Sequence, residues 1–141
     1  MIAVNFFEED ISFALSHPEE TAQWIDHIIS KEGYELNELN FIFCSDEYLH
    51  QINIEYLDHD TYTDIITFDN SESSNEIEGD IFISVDRVDD NAKMLDTSFE
   101  DELDRVIIHG VLHLLGMKDK TEEEAMAMRK KEEACLSLRK Y

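Results

Sequence analysis

Between residues 106 and 117 the chain carries only two polar side chains, His109 and His113; the rest are Ile, Val, Leu, Met and Gly. A helix that is apolar on every side is a buried helix, so the fold must be wrapped around this segment. Two histidines four residues apart project from one helix face about one turn apart. Buried, each needs a partner, because an unsatisfied polar group costs roughly 1–3 kcal/mol. Gly116 can take the positive φ that ends a helix, and Asp119, three residues on, offers a carboxylate that the turning chain can carry back to the imidazoles. Two nitrogens and one oxygen with a fourth position open form the ligand set of a catalytic divalent-metal site, zinc above all. A bare H-x-x-x-H is more often satisfied by carbonyls or buried water; the glycine and the carboxylate at this spacing favour a metal.

The peptidase form of this pattern, H-E-x-x-H, uses the glutamate after the first histidine as general base. Here that position is Gly110, which moves no proton. Peptide hydrolysis is demoted accordingly.

A chain of 141 residues with 43% hydrophobic residues, four glycines and one proline is expected to form one domain, residues 1–141, with a single core. The start has no basic n-region followed by an apolar run, so no signal peptide is expected. No stretch approaches the ~20 apolar residues of a membrane span. Cys44 and Cys135 form no C-x-x-C, and a reduced, cytoplasmic setting is the natural reading. The net charge of −23, with only eleven Lys and Arg, runs against the excess of cations that polyanion binders usually carry.

Residues 2–7 read as a first strand. Pro18, Glu19 and Glu20 open a helix that runs toward Gly33. Residues 39–44 form a second strand, and Ser45 caps a helix over 46–56. Residues 64–68 and 80–84 are two further strands, a hairpin or neighbouring pair, separated by a Ser/Asn/Glu loop. Ser84 caps a helix over 85–95 with Val88, Ala92 and Leu95 on one face. Ser98 with Asp101, and Thr121 with Glu124, make capping boxes for the histidine helix and a last helix. The charges of that last helix read as a solvated face. Alternating strands and helices give an α/β class with a small mixed sheet.

The segment His109-Gly110-x-Leu112-His113-Leu114-x-Gly116 resembles the signature of the YbeY family of metal-dependent endoribonucleases. Asn53-x-x-Tyr56, Asp60 and Thr63-Asp64-Ile65-Ile66-Thr67-Phe68 are similar to a second family segment, and Gly79-Asp80-Ile81-Phe82-Ile83-Ser84 to a third. The resemblance implies a four-stranded mixed sheet packed with about five helices, with the metal site at the end of the buried central helix. It implies one Zn²⁺ held by His109, His113 and Asp119, the last standing where the family usually has histidine. Leu57 stands where the family usually has an arginine suited to holding phosphate, and Lys118 or Lys120 is the candidate substitute. Thr63 and Asp64 either line the cleft or make turn bonds, and Asp80 either supports a histidine or bonds a neighbouring turn. His17, His27, His50 and His59 are expected on the surface.

The function implied is a zinc-dependent, single-strand-specific endoribonuclease acting in 16S rRNA 3′-end maturation and ribosome quality control. Its partners would be RNA and the small ribosomal subunit, with no DNA and no membrane. Beyond a water on the open coordination position no catalytic group is evident, so attack by the adjacent ribose 2′-hydroxyl is as open as attack by water. A ribosome-associated metal-binding factor with little nuclease activity is the alternative, and a zinc peptidase a weaker one.

Overall fold

Strand β1 (Val4–Glu8) runs parallel to β2 (Glu35–Cys44), which runs parallel to β4 (Glu76–Ser84); β3 (Ile65–Asp69) closes the far edge antiparallel to β4. The sheet order is β1-β2-β4-β3. This computed structural model describes residues 2–141. The helices are α1 (Pro18–Lys31), α2 (Asp46–Leu57), α3 (Val85–Leu95), α4 (Phe99–Leu114) and α5 (Glu122–Leu136). The expected α/β architecture, its four-stranded mixed sheet and its five helices are all present. Among the described residues no helix is long and apolar enough to cross a membrane.

Period-two alternation divides the sheet into two unlike faces. Leu39, Phe41 and Phe43 of β2 sit beside Gly79, Ile81 and Ile83 of β4, and these side chains are at most 2% exposed. With Ile25, Ile28 and Ile29 of α1 and Val106, Ile107, Ile108, Val111 and Leu112 of α4 they make the main core. Each such burial contributes about 1.5–3 kcal/mol. On the other face α2 covers only a small cluster of Cys44, Leu49, Ile52 and Ile66.

Strands β2 and β4 begin four residues earlier than their apolar runs suggest. Their leading residues are polar but still pair, Glu35 with Glu76 and Glu38 with Glu78, and the Asn37 amide donates to Glu76 (2.8 Å). Ladder hydrogen bonds satisfy the backbone there whatever the side chains are. Strand β1 is shifted to Val4–Glu8. Thr121 and Glu124 form the expected reciprocal capping box, whereas Ser98 caps α4 in one direction only, accepting from the Asp101 N–H. Leu95 is exposed, because α3 ends there in a left-handed Asp96 cap that turns the last residue off the buried face.

Candidate metal centre

Helix α4 crosses the sheet over β3 and β4 with unusual closeness, and Gly110 is the reason. A Cβ on Gly110 would lie 2.8 Å from Ile65 Cδ1 and 3.3 Å from Ile81 Cδ1. The position where a peptidase carries its glutamate is thus wedged against the sheet, with no room for that side chain. One residue earlier and three later, the same helix turns His109 and His113 outward into a cleft of about 430 Å³.

The helix ends in a Schellman motif. Gly116 has φ 100°, its N–H donates to the His113 carbonyl (3.0 Å), and the Met117 N–H reaches back to the Leu112 carbonyl (3.0 Å). Tyr34 on the neighbouring strand start donates its hydroxyl to the Leu115 carbonyl (3.2 Å). This closed turn folds Asp119 back over the histidines. Its Oδ2 lies 3.3 Å from His109 Nε2 and 3.4 Å from His113 Nε2, and the two Nε2 atoms are 3.0 Å apart. The three predicted ligands therefore converge.

What orients the rings comes from elsewhere. His109 Nδ1 donates to Glu132 Oε2 at 2.6 Å, and His113 Nδ1 donates to the Met117 carbonyl at 3.0 Å. A carboxylate and a carbonyl only accept, so each Nδ1 bears a hydrogen, and the neutral form of each ring turns an Nε2 lone pair inward. In that form three acceptor atoms, the two Nε2 and an Asp119 carboxylate oxygen, face one another, and such a set fits a cation. The edges of a tetrahedron with ligand bonds of 2.0–2.2 Å are about 3.3–3.6 Å, close to the spacings found.

Glu132 is 2% exposed and is itself held by Arg105 (3.1 Å), whose guanidinium also grips Glu102, likewise 2% exposed. Burial pushes the Glu132 carboxyl up, but the hydrogen bonds from His109 and Arg105 outweigh it and leave it below the usual carboxylate range. The same carboxylates raise the Arg105 pKa, the Glu102 hydrogen bond first. The charges of α5 read as a solvated face and its Met126 and Met128 as packing; Met128 is buried, Met126 is exposed, and Glu132 is a buried exception among the charges. Glu132, Cys135 and Met128 at i, i+3 and i−4 mark its inner stripe.

A family model for endoribonuclease YbeY matches residues 4–139. The chain belongs to the YbeY family. These are endoribonucleases, enzymes that hydrolyse RNA phosphodiester bonds. An endoribonuclease YbeY of Cytophaga hutchinsonii is 58% identical over 136 residues, covering 96% of this chain and 95% of that protein. The Christiangramia forsetii YbeY is 51% identical over 96% and 93% of the two chains. The solution structure of a Thermotoga maritima protein superposes with a TM-score of 0.67 at 26% identity, over 94% of this chain and 88% of that one.

The remaining residues of the YbeY-like motifs fall on both sides of the sheet. Thr63 and Asp64 line the cleft; the Thr63 hydroxyl donates locally to the Ile65 carbonyl (3.4 Å), whereas the Asp64 carbonyl accepts from the Ser84 N–H (3.0 Å) and so continues the β3–β4 pairing. Asn53, 3% exposed, donates its amide to the Thr61 carbonyl (2.9 Å) and hydroxyl (3.2 Å), pinning the loop that forms the wall opposite the histidines. Asp80 is no support for a histidine: it points to the opposite face and accepts from Asn40 (3.0 Å) and Asn70 (3.4 Å), because an even-numbered residue of β4 cannot face α4. Lys118 and Lys120 flank Asp119 but do not line the cleft, whereas Leu57, standing where the family usually has arginine, does line it. His50 is not a free surface residue; it stacks on Tyr62 (centroids 4.1 Å) and pairs with Asp60 (2.8 Å). His59 is exposed as expected, yet it lies on the cleft wall.

Proposed function

We propose that this chain, as one unit over residues 1–141, is a zinc-dependent, single-strand-specific endoribonuclease of the cytoplasm. It acts in 16S rRNA 3′-end maturation and ribosome quality control, with the small ribosomal subunit as partner. His109, His113 and Asp119 are the metal ligands. The observation that carries this is the inward-facing set of three acceptors whose ring tautomers are fixed from outside by Glu132 and Met117. A zinc ion held there would polarise a phosphodiester and lower the pKa of a water. Glu132 and the Met117 carbonyl keep the imidazoles aimed, and the Schellman turn keeps Asp119 in place. Asp119 adds a negative charge that a third imidazole would not, so the water is less acidified than with three neutral ligands. The polar loop of residues 59–64 faces the ligands across the cleft.

The test is incubation of the zinc-loaded protein with single-stranded RNA, duplex RNA and casein. Single-stranded RNA is cut, the others are spared, and His113→Ala lowers the rate by more than about 10³-fold, the several kcal/mol of a lost Lewis acid. Cyclic 2′,3′-phosphate ends with 5′-hydroxyls identify the ribose hydroxyl as nucleophile, and 5′-phosphate with 3′-hydroxyl ends identify water. Cleavage unchanged in His113→Ala overturns the assignment. A second reading, a metal-binding ribosome factor with little nuclease activity, is favoured by the net charge of −23 and by the absence of Lys or Arg from the cleft lining. An inert wild-type protein with bound zinc establishes it. Digested casein would revive the peptidase, against which the tight packing at Gly110 stands.

A further inference from the structure

The cleft that meets the substrate is electrostatically odd. Among the residues that line it, the ionisable side chains outside the ligand set are Asp64 and His59, and none is Lys or Arg. Of the eleven Lys and Arg, five are paired with carboxylates: Arg87 with Asp46, Lys93 with Asp89, Lys131 with Glu32, Arg105 with Glu102 and Glu132, Arg139 with Asp101 and Asp104; Lys118 and Lys120 flank Asp119 but lie outside the cleft lining. A nucleotide chain brings one negative charge per residue, and here it meets Asp64 and Asp119 on the walls. Some donor must face the phosphate from the side away from the ligands.

His59 is built into that place. Helix α2 ends in a left-handed Asp58 (φ 55°, ψ 34°), which reverses the chain immediately after Leu57. The His59 N–H then donates to the Asn53 carbonyl (3.1 Å), while the buried Asn53 amide holds Thr61 from the same helix. One asparagine thus fixes the backbone on both sides of the imidazole. The imidazoles of His17 and His50 are paired with Glu20 and Asp60; among the described residues those of His27 and His59 have no such partner, and of these two His59 alone lines the cleft. An unpaired donor whose backbone is tied to Asn53 on both sides, facing the metal-ligand cluster across one cleft, is the arrangement of a phosphate contact.

We propose that His59 is the phosphate-binding residue of this cleft, its imidazole N–H donating to a non-bridging oxygen of the RNA backbone. This rests on the endoribonuclease reading above. The experiment compares wild type, His59→Ala and His59→Arg, each zinc-loaded, for binding of a fluorescent single-stranded oligoribonucleotide by anisotropy and for cleavage. His59→Ala weakens binding and raises KM by about 10- to 100-fold, the range of one charge-assisted hydrogen bond, with kcat changed far less. His59→Arg, which donates to phosphate but cannot shuttle a proton, restores both within about threefold. Zinc content stays the same in all three. Wild-type binding by His59→Ala, a fall in kcat at unchanged KM, failure of arginine to restore binding, or loss of zinc each overturns the assignment while leaving the nuclease reading intact. A wild-type protein that neither binds nor cuts RNA overturns both.

Discussion

The two walls of the cleft are carried by unequal cores. The ligand wall belongs to α4, which is embedded in the main cluster beneath the sheet and braced by the Glu102–Arg105–Glu132 network and the Schellman turn. The opposite wall, residues 58–64, hangs from α2, whose apolar support is a small cluster of Cys44, Leu49, Ile52 and Ile66 with the partly buried Tyr48, Phe68 and Phe82 packed against it. Strand β3 divides the two: Ile65 packs under Gly110 of α4, while its neighbour Ile66 belongs to the small cluster. A metal demands fixed ligand positions and a nucleic-acid strand does not. The difference in support follows the difference in demand.

Breaking the ligand wall should cost most. Arg105→Met leaves Glu102 and Glu132 buried without their shared cation, a change of the kind that costs 3–5 kcal/mol, roughly. Urea unfolding measures it, and a loss below about 1 kcal/mol would show that the network is not buried as described. Glu132→Gln is gentler. It keeps the shape and removes the charge that orients His109, so zinc affinity should fall by about 10- to 100-fold in a competition titration, with little change in fold stability.

The same edit on the other wall should separate the two. Asn53→Ala frees the Thr61 carbonyl and hydroxyl at a cost of about 0.5–1.5 kcal/mol. Hydrogen exchange in residues 58–64 should quicken and KM for RNA rise a few-fold, while zinc affinity stays unchanged. A drop in zinc affinity would mean that the walls are coupled.

What could be read from the residues follows the same division. The histidine helix was legible because its apolar run, its i, i+4 pair and its closing glycine all act within eleven residues, where sequence spacing is spatial spacing. Glu132 was not, because one buried carboxylate among the many acids of α5 differs from its neighbours only in a stripe set by Met128 and Cys135. Gly110 looked like a missing base; only the helix-on-sheet crossing reveals a packing contact. His59 looked solvated, and it is, but the fold places it opposite the ligands. Periodicity also shortened β2 and β4, since pairing between strands extends into residues whose side chains carry no apolar signal.

The smallest effect tests the unequal cores themselves. Burial pushes the Cys44 thiol up to about 12, and the acids Asp10, Asp86, Asp46 and Glu9 push it the same way; its ordinary value is 9.0. The folded state holds this proton more tightly than the unfolded state. The stability it contributes is therefore complete below pH 9.0 and declines as pH rises through that value toward 12. Unfolding free energies should fall across this window, and the fall should be shallower in Cys44→Ala. At neutral pH both thiols are buried and should resist alkylation in the native protein. In sub-denaturing urea they should part company, Cys44 labelling first because its cluster opens at lower cost than the main core that holds Cys135. Labelling of Cys135 first, or of both together, would mean that the two walls share one cooperative unit and that the softer wall is not soft.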